Sequence, residues 1–206
     1  MAEKKMYYSD YLKLNQLLNA QHPESDKPGN APAHDELLFI IVHQAYELWF
    51  KQIIYELDYV LNVFGKQKID DNSEDLNLVR HRLKRVIQIL ALLNQQVNLI
   101  ETMTPLDFLE FRPLLASSSG FQSLQFRIVE TKLGLKMPDR YKKEYYARTG
   151  DGGLTKADAD HLEKTENESS LLELLNTWLE RMPFFDKKYW EDFEVNKGHP
   201  QTQHPF

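Results

Sequence analysis

Two long stretches of helical periodicity constrain this chain more than any other feature. Residues 34 to 64 read HDELLFIIVHQAYELWFKQIIYELDYVLNVF, with apolar side chains returning every three or four positions at Ile40, Ile41, Leu48, Trp49, Ile53, Leu57 and Leu61. That spacing lines them along one side of an α-helix. Asp35 and Glu36 suit the positive first turn, and Gly65 suits the end. A second pattern follows Ser73, a good N-cap, and runs through Leu76, Leu83, Val86, Ile87, Leu90, Leu93, Val97 and Ile100. Neither helix can bury its apolar stripe alone. With no internal repeat and no convincing strand pair, the expected fold class is all-α, a helical bundle built on these two helices.

Shorter elements are announced by their caps. In Thr104-Pro105-Leu106-Asp107 the threonine caps, proline takes the first helical position and an acid takes the third. Pro113 then kinks or ends that helix. Ser117-Ser118-Ser119-Gly120 supplies a turn and the N-cap of a fourth helix, GFQSLQFRIVETKLG. Residues 136 to 167 are polar and contain the turn Asp151-Gly152-Gly153, so a surface excursion with a short helix near its end is expected. A last amphipathic helix, capped at Thr165-x-x-Glu168, carries Leu171, Leu174, Leu175, Trp178 and Met182, and the tail NKGHPQTQHPF is open. The organisation reads as an N-terminal arm (1–33), a helical core (34–135), the polar excursion (136–167), and an amphipathic helix with its tail (168–206).

Bulk properties exclude several classes. Net charge is −6, and the densest basic run, RHRLKR at Arg80 to Arg85, lies on a helical pattern without interleaved aromatics, which argues against a nucleic-acid partner. The N-terminus lacks a following apolar segment and LLFIIV is far too short to span a bilayer, so no membrane association and a cytoplasmic location are expected. The absence of cysteine removes disulfides, thiolate nucleophiles and thiolate-ligated metals.

A few residues could carry chemistry. Steps of about 100° per residue bring Phe39, His43, Tyr46, Phe50, Ile53 and Leu57 close to a common line, so His43 is ringed by aromatics. It reads either as a core imidazole satisfied by one local hydrogen bond or as a ligand or catalytic group. Arg112, in FLEFRPLL, either snorkels to water or receives an anion, for which its fixed donors suit a carboxylate. The SSSG turn is a plain cap or a place where hydroxyls and N–H groups meet a ligand. Asp158-x-x-His161 is a single motif where a di-iron bundle needs pairs. His43 and Glu47 supply two metal ligands, which do not make a site. Tyr8 and Tyr11 either pack an arm on the core or line a pocket.

Taken together, YSDYLKLNQLLNAQ, HDELLFIIVHQAYELWFKQIIYELDYV, ETMTPLDFLEFRPLLASSSGFQSLQFRIVE and, more loosely, LLELLNTWLERMP resemble the tryptophan 2,3-dioxygenase family of haem enzymes, in the family's order and over most of the chain. The resemblance implies insertion of both atoms of O2 across the indole C2=C3 bond of L-tryptophan, giving N-formylkynurenine, with haem b as cofactor. It implies that His43 is the distal-pocket histidine facing the indole N–H, that Phe39 and Phe108 wall the indole pocket, that Arg112 grips the substrate carboxylate, and that Ser119 lies near the haem edge. Tyr8 and Leu12 match residues that family members lend to a neighbouring subunit, which implies a homotetramer with intertwined N-termini.

One departure stands against these agreements. The family's proximal haem-ligating histidine and its Gly/Ser-rich closing loop lie beyond the matched region, and His22, His34, His81, His161, His199 and His204 do not replace that ligand. The chain therefore reads as the N-terminal and central part of the enzyme. It is expected to belong to a longer polypeptide, to pair with a second polypeptide piece carrying the proximal ligand, or to be a natural short relative. In the last case the rival function is a non-catalytic oligomeric helical protein that keeps the scaffold without haem.

Overall fold

Helix boundaries in the computed structural model, which describes residues 5–66, 69, 73–135 and 153–181, follow the caps and breakers of the sequence. In chain order the helices are α1 (Tyr8–Leu12), α2 (Leu14–Leu17), α3 (Glu36–Phe64), α4 (Glu74–Ile100), α5 (Pro105–Phe111), α6 (Leu124–Leu133), α7 (Lys156–Glu166) and α8 (Leu171–Glu180), with short 3-10 turns at Glu24–Asp26, Arg112–Leu115 and Gly120–Gln122. The all-α class holds among the described residues, and the two long helices pack on each other as expected.

Ser73 caps α4 by accepting the Leu76 N–H. At α5 the Thr104 hydroxyl accepts from the Asp107 N–H while the Asp107 carboxylate accepts from the Thr104 N–H, and Pro113 tightens the exit into a 3-10 turn. Two caps fall elsewhere than the sequence suggests. The fourth helix starts at Leu124 and is capped by Ser123, because Ser119 and Gln122 close their own box around the 3-10 turn at 120–122. The last helix is capped by Ser170 and Glu173, not by Thr165 and Glu168. Thr165 is buried in the final turn of α7, with its hydroxyl donating to the His161 carbonyl.

The main core joins Phe50, Ile53, Leu57, Val60, Val63 and Phe64 of α3 to Val79, Val86, Ile89 and Leu93 of α4, closed by Val129 of α6 and Leu171 of α8. Each such side chain contributes roughly 1.5–3 kcal/mol by leaving water. The seam on α3 is rotated from the one expected: Ile41 and Leu48 are exposed, while Val42 and Phe50 are buried. The first half of α3 is apolar nearly all round, so periodicity allows two phases, and contact with α4 and α6 selects one. At the end of the polar stretch, Leu154 and Leu162 bury themselves against Ile128, so α7 is a packed element. Residues 136–152, Met182 and the tail lie outside the described residues.

Two arginines of the basic run on α4 pair with α3. Arg82 and Arg85 both reach the carboxylate of Glu56, at 3.0 Å and 2.6 Å, in the middle of α3. The arm behaves oppositely, since no residue of α1 or α2 is buried. No helix among the described residues is long and apolar enough to cross a membrane.

Candidate functional site

Phe39 and His43 stand one turn apart on α3, and their rings meet with centroids 4.0 Å apart. From α5, itself held in place by its capping box, Phe108 and Phe111 stand three positions apart on one face and both turn toward Phe39, at 5.8 Å and 5.4 Å. The two α5 rings meet edge to face at 5.4 Å. Phe111 is fully buried and forms the floor with Ala33 and Met103, while Phe39 and Phe108 are half-buried above it. The result is an aromatic patch that carries one imidazole at its rim.

The imidazole's proton is fixed by its partner. His43 Nδ1 lies 2.7 Å from the Phe39 carbonyl oxygen, which can only accept. Nδ1–H therefore donates, and the neutral ring keeps its lone pair on Nε2. The ring edge is exposed, so Nε2 is available to a donor from outside the chain.

Arg112 follows Phe111 directly and is half-buried. Its Nη1 donates to the Ala116 carbonyl at 3.2 Å. Ala116 occupies the first central position of a turn closed by the Ser118 N–H on the Leu115 carbonyl, with φ 47° and ψ −123°, a conformation that favours glycine. The guanidinium thus braces a strained turn through one donor, and its fork offers others to an anion.

Ser119 sits at the next bend. Its Oγ accepts from the Phe121 N–H and its own N–H donates to Gln122 Oε1, while Gln122 Nε2 donates to the Gly153 carbonyl at 3.2 Å. Gln125 ties α6 to the site helix by donating to both the carbonyl and the carboxylate of Glu47, one turn beyond His43. No group of three or more side chains suited to a metal ion occurs among the described residues. A groove of about 700 Å3 between α3 and α4, lined by Leu48, Trp49, Ile89 and Leu92, has Arg85 as its one ionisable lining group. Arg85 already bonds Glu56, so no chemistry is assigned there.

The family model for tryptophan 2,3-dioxygenase matches residues 1–199. The chain belongs to the tryptophan 2,3-dioxygenase family. A protein of that name from Bdellovibrio bacteriovorus is 47% identical over 199 residues, covering 93% of this chain and 54% of the relative. Those of Dictyostelium discoideum and Rattus norvegicus are 46% and 44% identical, with 48% and 47% of their own length covered. The chain spans about half the length of the curated relatives it matches.

Among the residues singled out by resemblance to the tryptophan 2,3-dioxygenase family, Phe39, His43 and Phe108 form one contact network, while Arg112 follows Phe111 in sequence and turns its head to the Ala116 carbonyl. Ser119 stands on its capped turn near the start of α6. Tyr8 and Leu12 lie on α1, 74% and 39% exposed. Sequence reading missed the polar groups that fasten the arm to α3. Gln21 Nε2 donates to Gln44 Oε1, and Gln44 Nε2 donates to the Ala20 carbonyl. The fully buried Glu36 carboxylate accepts the N–H groups of Glu24 and Ser25. Burial pushes the Glu36 carboxyl up, but hydrogen bonds from Ser25 and Glu24 outweigh it and hold the group below the usual glutamate value. An uncapped glutamate opening a helix gives no sign of such partners.

Proposed function

We propose that this chain supplies the substrate-recognition half of a haem-dependent dioxygenase that opens the indole ring of L-tryptophan to N-formylkynurenine. The observation that carries the reading is the contact of Phe39 with both His43 and Phe108, with Arg112 close by in sequence. A flat aromatic patch, an imidazole with its acceptor nitrogen outward and a guanidinium with donors to spare match an indole ring, its N–H and an amino-acid carboxylate. Family membership supports the same assignment.

The donor set fits one face of a haem. Phe39 and Phe108, backed by the buried Phe111, provide an apolar wall of the kind a porphyrin face needs, and by the resemblance Ser119 would add a hydroxyl near the haem edge. When bound, haem supplies the iron that activates dioxygen. The chain's own residues do the orienting. Arg112 takes the carboxylate, Phe39 and Phe108 hold the ring plane, and His43 Nε2 accepts the indole N–H, which fixes the rotation of the ring. A protonated imidazole has no lone pair there and loses this contact. The remaining parts of the reading, a homotetramer with exchanged arms and a cytoplasmic setting, rest on the family. The unburied apolar side chains of α1 agree with the exchanged arm.

The test is made on the full protein. A Soret band and turnover of L-tryptophan after reduction are expected, and a colourless, inactive preparation refutes the reading in favour of a non-catalytic scaffold protein. Arg112→Ala removes a charge-assisted pair of about 1.5–3 kcal/mol and should raise KM roughly ten- to a hundredfold. His43→Ala should lower kcat with the Soret band retained. Loss of haem in that variant would place His43 on the other face of the ring.

A further inference from the structure

The grip assigned to Arg112 depends on how its guanidinium is held before a substrate arrives. The backbone is fixed: the fully buried Phe111 precedes it, its own N–H donates to the Phe108 carbonyl, and Pro113 follows. The stem is flexible, and an arginine that must be ordered on binding weakens affinity by the entropy of that ordering. Here one contact orders it in advance. Nη1 donates to the Ala116 carbonyl at 3.2 Å, and no other hydrogen bond of the guanidinium occurs among the described residues.

That carbonyl belongs to the central peptide of the turn from Leu115 to Ser118, closed at 2.9 Å by the Ser118 N–H on the Leu115 carbonyl. Ala116 takes φ 47° and ψ −123°, the type II′ geometry, while Ser117 keeps a negative φ. A closed turn with φ positive at its first central position has two forms, II′ and I′, which differ by about half a revolution of the central peptide. Glycine at position 116 favours the first and Asn-Gly the second, whereas Ala-Ser is preferred by neither. Leu114 and Leu115 pack on the cluster of Ala33, Met103 and Phe111, and beyond the turn Ser119 and Gln122 close their box, with Gln122 tied to the Gly153 carbonyl. These anchors fix where the turn lies. Only in the II′ form does the central carbonyl face Arg112, so that contact is what distinguishes the form adopted. A strained alanine persists where its surroundings over-determine it, and such positions gather where a site is preformed.

We propose that the turn from Leu115 to Ser118 is a positioning element for Arg112, with the Ala116 carbonyl holding one donor so that the rest of the fork stands ready for the carboxylate of an indole amino acid. This rests on the functional reading above and deepens it. The turn then sets how strongly the site prefers an indole that carries a carboxylate over one that lacks it.

The test compares L-tryptophan with tryptamine, which keeps the indole and the amine and lacks the carboxylate, by equilibrium dialysis against the full protein. Ala116→Asn/Ser117→Gly writes the type I′ turn, which preserves the closure and the positive φ at position 116 and turns only the central carbonyl away. It should weaken L-tryptophan about fivefold and leave tryptamine within about twofold, since one ordered side chain is lost and nothing else. Ala116→Gly, the residue that type II′ favours, should keep the wild-type preference. A preference unchanged in the Asn-Gly variant, both ligands weakened alike, or a preference lost in Ala116→Gly overturns the positioning role. Arg112→Ala separates this from the functional reading, because it should erase the preference outright. If it does not, Arg112 does not meet the carboxylate and the functional reading falls. If it does while the Asn-Gly variant keeps the preference, the positioning role alone falls.

Discussion

Replacing Glu56 should reveal a large polar contribution to the stability of this fold. Its side chain is wholly buried at the centre of α3, yet it accepts from Gln52 at 2.7 Å, Arg82 at 3.0 Å and Arg85 at 2.6 Å. Hydrogen bonds to a charged group contribute about 1.5–3 kcal/mol each, and a fully buried pair that loses one partner costs about 3–5 kcal/mol. Arg82 and Arg85 are not fully buried, however. Their side chains are 28% and 42% exposed, and Arg82 also lies over the Tyr59 ring, so both guanidinium groups can turn to water once released. Glu56→Gln keeps the shape and one acceptor oxygen and should destabilise by about 2–3 kcal/mol, and Glu56→Ala by about a kilocalorie more for the void.

The pH dependence makes this prediction specific. Burial raises the Glu56 carboxyl, but the bonds from Arg85, Gln52 and Arg82 outweigh it and hold the group below its ordinary 4.5. A depressed folded-state value means that the unfolded chain binds the proton first on acidification. The stabilisation is then fully present above about pH 4.5 and lost as pH falls through the lower folded-state value. Urea unfolding followed by far-ultraviolet circular dichroism at pH 7, and at steps below pH 5, measures the gap between wild type and Glu56→Gln. The gap should be widest at pH 7 and close with acid. A gap under about 1 kcal/mol at pH 7, or one that widens on acidification, would refute the argument.

Two backbone predictions follow from positive φ angles. Gly134 ends α6 at φ 113°, and a Cβ there would lie 2.7 Å from the Leu172 Cβ, so Gly134→Ala should cost about 2–4 kcal/mol through strain and displacement of α8. A urea midpoint unchanged within error would contradict this. Ala116→Gly should work the other way, because relief of a strain of about 1–3 kcal/mol exceeds the extra entropy of the unfolded glycine, and the melting temperature should rise by about 2–4 °C. A lower melting temperature would show that the turn is not strained.

The helices were legible because their signals are local. Ser73, Thr104 and Asp107 lie within one turn of the groups they cap, and Phe39 with His43 share a face by spacing alone. Ambiguity arose where two residues offered the same local signal. Ser119 and Ser123 both satisfy a cap, and the structure uses the first for a 3-10 turn and the second for α6. Thr165 and Ser170 each precede a glutamate by three, and burial of Leu162 and Thr165 against α6 carries α7 past the earlier one. What one helix says to another was not legible. The meeting of Phe39 with Phe108, and of Glu56 with two arginines on α4, depends on how elements dock, and no periodicity in either stretch encodes it.

The two buried carboxylates give α3 a common acid limit. Glu36 holds the root of the N-terminal arm at the start of α3 and Glu56 holds its middle to α4, so the helix that carries Phe39 and His43 is fastened on both sides by groups with depressed pKa values. Both fastenings are complete above about pH 4.5 and fail only below it. The urea-unfolding gap between wild type and Glu36→Gln should therefore be widest at neutral pH and close with acid, as for Glu56→Gln. A gap that widens on acidification would refute the shared fastening.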